Sequence, residues 1–211
     1  MWDDGTIIAV HKPRGPSSNQ IVVRIKKLSG IARVGHAGTL DPLASGVLVV
    51  GIGRSATKQL WDKKFESKEY RAEIFFGETS TTDDLAGEKT VRSVNKIPTR
   101  AEVESALEKF VGTIEQRPPL FSALKISGQP AYKLARRGKI VELKSRSVTI
   151  ESITLLAYEW PRAHVHVVCK SGVYIRSLVR DTGDALGVGA YMSDLVRTRV
   201  GPYSLEDAQL L

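Results

Sequence analysis

Apolar positions along this chain fall into short runs and stripes whose period changes several times. Thr6–Val10 is an apolar run closed by Lys12-Pro13 and predicts a strand. Ser17 or Ser18 then caps a helix with Ile21, Ile25 and Leu28 on one face and Gly30 as its stop. From Arg33 to Gly46 no period is sustained, and three glycines and Pro42 mark a loop. Val47–Ile52 follows as a buried strand. Residues 68–76 alternate, with Tyr70, Ala72, Ile74 and Phe76 on one side, as a half-buried strand requires. Residues 77–98 are polar and rich in turn formers. Thr99 and Glu102 make a capping box for a helix carrying Val103, Ala106, Leu107 and Phe110, with Gly112 ending it. Lys139–Tyr158 and Ala163–Val168 are β-branched runs that suit antiparallel strands. Val173–Leu186 is amphipathic, with Ile175, Leu178, Val179 and Leu186 on its apolar face. Strands and helices mix without a regular βαβ rhythm, so the fold class is α+β. One compact domain, 1–211, is expected, with Pro118–Lys144 as a projecting basic segment.

Composition narrows this picture. The 211 residues are 42% hydrophobic and 26% charged, enough to build a core without metals or disulfides. The single cysteine, Cys169, has no partner in the chain for a disulfide and suits a reducing cytosol. The N-terminus is acidic before its short apolar run, unlike a signal peptide, and no apolar stretch reaches membrane-spanning length. A cytoplasmic protein is expected. Lys and Arg outnumber Asp and Glu by 31 to 23, a net charge of +8. Such an excess favours polyanions through counterion release, although plain solubility accounts for it equally well.

The densest cluster of candidate chemistry is the run Gly35-His36-Ala37-Gly38-Thr39-Leu40-Asp41-Pro42-Leu43-Ala44-Ser45-Gly46. Its glycines allow close backbone approach, and His36 and Asp41 are its titratable groups. An ordinary turn in which Asp41 bonds its own backbone is the plain alternative. Gly51-Ile52-Gly53-Arg54 resembles a dinucleotide fingerprint but lacks its βαβ setting, and reads as a turn into a helix with Lys58 available to a phosphate. His164 and His166 share one strand face, which suggests a metal but supplies only two ligands. Asp83-Asp84 and the acids near Asp181 raise magnesium against the commoner acidic turn. Arg117–Lys125 running on to Tyr132 and Arg136 interleaves cations with aromatics, as an RNA-facing surface or a solvated basic face would. Arg176 stands in the first turn of its helix, against the dipole, where a carboxylate partner would compensate.

Several of these segments together resemble the TruB family of pseudouridine synthases. GHAGTLDPLASGVL resembles the catalytic motif, with Ser45 where Thr is more usual. Lys68-Glu69-Tyr70 is similar to the K-x-Y segment, and RPPLFSALKISGQPAYKLAR to the P-P-x-[YF]-S-A-x-K motif. SGVYIRSLVRDTGDALG resembles the G-x-Y-I-R-x-L segment, and Leu195–Gly201 the closing L-x-R-x-x-x-G. The motifs arrive in family order across nearly the whole chain.

The resemblance implies a pseudouridine-synthase fold, a mixed and mostly antiparallel sheet flanked by helices, with a thumb-like RNA-binding insertion at about 118–144. It implies isomerisation of the uridine numbered 55 in the T-loop of tRNA by base flipping, with no metal or organic cofactor. Asp41 matches the essential aspartate, as nucleophile or as base. Arg176 matches its arginine partner, and Tyr70 the tyrosine that stacks on the flipped base and is a candidate to assist loss of the C5 proton. Tyr174 and Leu195 match pocket residues, and His36 the histidine that wedges into the T-loop. Lys125, Tyr132 and Arg136 fall in the thumb, while Lys58 and Arg197 are further candidate RNA contacts. The family's habit is to act on the tRNA T-arm as a monomer, without a membrane. A non-catalytic tRNA-folding protein and a synthase for another RNA are the rivals. Members usually continue into a PUA module, and no PUA domain is expected within 1–211. Weaker and more salt-sensitive tRNA binding than in a full-length relative is expected, to be measured by salt titration of both.

Overall fold

The computed structural model describes residues 2–122, 124–126, 129–130 and 143–211. It is an α+β fold whose strands form a mixed sheet. Contacts divide it into two units. The first comprises Met1–Arg71, His166–Ser171 and Asp194–Leu211; the second comprises Ala72–Val165 and Gly172–Ser193. A single compact domain was expected.

In the first unit, β1 (Ile7–Lys12) pairs antiparallel with β3 (Ser45–Ile52). β1 sends Ile8 and Val10 to one face and Ala9 to the other, because side chains alternate along a strand. β3 does the same with Leu48, Val50 and Ile52 against Val47 and Val49. Both faces are covered, so β3 carries an unbroken apolar run from Val47 to Val50. Helix α1 (Ser18–Ser29) lies on the first face, with Ile21, Val22 and Ile25 in the same cluster. Ser17 is its N-cap, in a capping box with Gln20, and Gly30 closes it in the left-handed conformation. Leu28, expected inward, is 53% exposed in the last turn. Ile31, beyond the cap, packs against the core there.

The predicted loop from Arg33 contains a short strand, β2 (Val34–His36), paired to β3. Helix α2 (Gly53–Gln59) follows β3, close to the expected start at Arg54. β4 (Lys68–Phe76) buries alternate residues as predicted. Within this unit the sheet runs β1, β3, β12 (Ala190–Val200), β4 and β11 (Arg162–Cys169), counting only the parts of the last three strands that belong to it. β12 was missed from the sequence, because Asp194, Arg197 and Arg199 break its apolar rhythm and one of them, Arg197, points inward.

In the second unit, β10 (Arg146–Glu159) pairs with β7 (Gly112–Gln116). Gly112 therefore opens a strand; helix α3 (Arg100–Glu108) already ends before it. The Thr99–Glu102 capping box is present as expected. Residues 77–98 contain a hairpin of β5 (Glu78–Ser80) and β6 (Lys89–Val91). Lys125–Ile126 and Gln129–Pro130 form a second, minimal hairpin, β8 and β9. Helix α4 (Ile175–Ala185) buries Ile175, Leu178 and Val179. The predicted strand start at Lys139 and much of the projecting segment lie outside the described residues.

The parallel pairing of β12 with β3 sets Arg197 opposite Gly46. Gly46 has φ of 110°, and a Cβ there would lie 2.2 Å from the Arg197 carbonyl oxygen. Gly46→Ala therefore combines backbone strain with a clash against backbone, at a cost of roughly 4 kcal/mol. Gly112→Ala, at φ of 103° with no atom within 4 Å of the added carbon, should cost only about 1–2 kcal/mol. Denaturant midpoints measure both; equal losses would remove the special role of the Gly46–Arg197 contact.

Candidate active site

The segment between β2 and β3 has neither a helical nor a sheet ladder, so its carbonyls need other donors. Each carbonyl from Gly38 to Leu43 finds one. Arg197 donates from Nη2 to Gly38 at 3.2 Å and from Nη1 to Thr39 at 3.4 Å. Ser18 Oγ donates to the Leu40 carbonyl at 2.9 Å and accepts from the Leu40 amide at 2.8 Å. The Asp41 carbonyl accepts from Ala44 N at 3.0 Å, and that of Pro42 from Gly15 N at 2.8 Å. Arg14 Nε donates to Leu43 at 2.9 Å. A half-buried carboxylate, Asp41, is thus carried on a backbone tied at every step.

Arg197 is 1% exposed, and its Nε also donates to the Val47 carbonyl at 2.8 Å. It further bonds the side chain of Tyr70, itself 7% exposed on β4. This corrects the expectation of Arg197 as an RNA contact, because its guanidinium is enclosed and engaged with the loop. Burial pushes the Tyr70 phenol above its ordinary value; the Arg197 charge opposes that rise, and the Asp41 charge adds to it. Tyr70 is therefore a neutral phenol near pH 7.

Two lysines that sequence reasoning did not place in the site stand here as well. Lys12 is fully buried and donates to the carbonyls of Pro13 and Pro16, each at 2.9 Å. Burial lowers its pKa to about 8, against the attraction of Asp41 and with the repulsion of Arg197. Lys68, 7% exposed, donates to Ser171 Oγ and to the Phe65 carbonyl. Burial and then the Arg197 charge lower it to about 8. His36, at the end of β2, is held below its ordinary value by burial and by Arg197, while a backbone contact at Gly38 acts the other way. The visible signals were the Lys-Pro closing β1 and the Lys two positions before Tyr70, neither of which reveals burial. Leu195 is 6% exposed on β12, and Lys58 is exposed on α2.

In the second unit, Arg176 lies near the start of α4 and is 4% exposed. Its Nη1 lies 3.6 Å from Asp84 and 3.1 Å from the Thr82 carbonyl, and Nη2 is 3.1 Å from that of Phe121. The carboxylate partner expected from its helix position is present. Tyr174 is the N-cap of α4. The fully buried Gln116 amide grips it from both sides, accepting from its N–H at 2.8 Å and donating to its carbonyl at 3.1 Å. The Arg146 guanidinium lies 5.0 Å from its ring centre. Sequence reading missed Gln116, because a lone Gln in a polar strand gives no sign of burial.

The magnesium alternative finds an acidic turn: Asp83 pairs with Arg180 at 3.0 Å. His164 and His166 each face a glutamate of β4, Glu73 at 3.4 Å and Glu69 at 3.3 Å. Among the described residues no cluster of His, Cys, Asp or Glu is disposed to hold a metal, and no helix is long and apolar enough to cross a membrane. Tyr132 and Arg136 lie outside the described residues; Lys125 is placed only by its backbone in β8.

The family model described as TruB family pseudouridylate synthase (N terminal domain) matches residues 26–175. A second, described as tRNA pseudouridylate synthase B C-terminal domain, matches residues 176–211. The tRNA pseudouridine synthase B of Thermobifida fusca is 45% identical over 216 residues, covering 99% of this chain and 73% of its own. That of Phocaeicola vulgatus is 43% identical over 212 residues, covering 98% and 90%. Among solved structures, a Cbf5-Nop10-Gar1 complex contains a chain 32% identical with a TM-score of 0.73, matched over 97% of this chain and 52% of that one. An H/ACA RNP bound to a substrate RNA containing 2′-deoxyuridine gives 29% and 0.70, covering 97% and 50%. The chain spans about half the length of these solved chains.

The lowered lysines fix a sign for stability against pH. Lys12 and Lys68 have folded values of about 8 against 10.5 when unfolded. Between those values the unfolded chain binds more protons, so their burial penalty is full below pH 8 and relaxes as pH rises. Unfolding free energy measured at pH 7.5 and 9.5 should show this rise, and Lys68→Met should make it smaller. An identical rise in the variant would reject the assignment.

Proposed function

Because this chain belongs to the TruB family of pseudouridylate synthases, we propose that it converts uridine 55 in the T-loop of tRNA to pseudouridine. The observation that carries this reading is the tethered loop, which presents the Asp41 carboxylate while Arg197 joins the same loop to Tyr70. A uracil stacked inside an RNA loop is out of reach, so the target base is flipped out at a cost of roughly a few kcal/mol.

The reaction breaks the bond between C1′ and N1, turns the uracil, and joins C5 to C1′. The proton on C5 leaves and N1 gains one, so no redox partner is needed. Asp41 acts at the sugar, as a nucleophile on C1′ or as a base at C2′. Tyr70, a neutral phenol, stacks on the base and assists transfer of the C5 proton. Arg176 serves as the cation for the reacting carboxylate, and Tyr174 and Leu195 line the base pocket. His36 enters the T-loop as the base leaves it. Lys58 and the segment of Lys125, Tyr132 and Arg136 take the T-arm backbone. The protein works as a monomer in the cytoplasm and uses no cofactor.

Tritium release from tRNA transcript labelled at uridine C5 tests this reading. Wild type is expected to release tritium, Asp41→Asn to release none, and a transcript with cytidine at position 55 to yield none from that site. Arg176→Lys should slow release on the order of a hundredfold, the scale of losing one preorganised charge contact. A folded protein that binds tRNA and releases nothing would instead be a tRNA-folding factor. Release from a ribosomal RNA fragment but not from tRNA would move the substrate to the other RNA class.

A further inference from the structure

Beside the catalytic loop, within the first unit, lies a groove of about 520 Å³ formed by the end of α1, β2 and α2. Lys26, Arg33, His36, Thr57, Leu60 and Trp61 are among its walls, and no acidic residue among the described residues lines it. Trp61 is 91% exposed. Arg33 is fixed to the groove wall, its Nε donating to Thr57 Oγ1 at 3.3 Å. His36 belongs both to this groove and to the strand that leads into the Asp41 loop.

Parts of this arrangement have ordinary explanations. Lysines in the last turn of a helix complement its dipole, which accounts for Lys26 and for Lys58. A single exposed apolar residue is common on any surface. Neither accounts for a fully open indole set into a groove that carries cations and no carboxylate. An aromatic face flanked by Lys and Arg is the chemistry that receives one unstacked nucleobase with its phosphates.

We propose that this groove is an RNA subsite distinct from the target-base pocket, in which Trp61 stacks on an unpaired base of the substrate and Lys26 and Arg33 take the adjoining phosphates. The inference rests on the reading of the chain as a synthase acting on RNA. The subsite shares His36 with the site of base flipping, so its occupant is a nucleotide of the same RNA molecule. Its role is to hold that molecule in register and not to touch the reacting atoms.

The test compares Trp61→Ala and Trp61→Phe in the full chain, by filter binding to tRNA transcript across a salt series and by tritium release at saturating RNA. Trp61→Ala should weaken binding about tenfold with an unchanged salt slope, the scale of one lost stacking contact, and Trp61→Phe should retain most of it. Arg33→Gln should weaken binding and reduce the salt slope by about one. Release at saturating RNA should stay near wild type in both Trp61 variants. Binding by Trp61→Ala within twofold of wild type, or equal losses in the Ala and Phe variants, overturns the subsite. If wild type releases tritium while Trp61→Ala binds unchanged, only the subsite falls. If binding depends on Trp61 but nothing releases tritium, the subsite stands and the synthase reading falls.

Discussion

A guanidinium enclosed by carbonyl oxygens is the constraint on which this site depends. Arg197 sits with 1% of its surface exposed, and a buried cation is tolerable only where acceptors replace its water. Gly38, Thr39 and Val47 provide those acceptors, and the same bonds hold an irregular loop that has no ladder of its own. The exchange is mutual: unbonded carbonyls would be as costly as an unbonded charge. Gly46 belongs to the same arrangement, since β3 meets β12 at Arg197 closely enough to leave no room for a side chain. The reach of Arg197 to Tyr70 then extends this ordering from the loop to β4.

The second unit solves its local problem by similar means. Gln116 is buried in β7 and satisfies both backbone groups of Tyr174, where α4 starts without a side-chain cap. Arg176 is held by two carbonyls and by Asp84. In both units polar side chains reach across large sequence separations to bond backbone, so the ordering belongs to the fold and not to local turns. Asp83, Asp84 and Asp181, which resembled metal ligands in the sequence, find arginines opposite them, and their charge is used within the protein.

In the first unit three buried cations, Lys12, Lys68 and Arg197, gather around a single carboxylate-bearing loop. Such a cluster costs folding energy, as the lowered lysine values record.

The sequence by itself determined the α+β class, helix caps at Gly30, Thr99 and one of Ser17 and Ser18, the alternation of β4 and the loop that carries Asp41. These follow from local rules, because capping, periodicity and glycine clusters act within a few residues. Family motifs extended the reach of the sequence to Tyr70, Tyr174, Arg176 and Leu195 as candidate site residues. Only the tertiary structure decided that Arg197 faces inward, that Lys12 and Lys68 are buried, and that Gln116 braces Tyr174. It also decided that β7 and β12 are strands. Each of these depends on a polar side chain at an inward position, satisfied by a backbone group far away in sequence. A local pattern registers such a residue as surface, because the partner that makes its burial affordable is absent from the window in which the pattern is read.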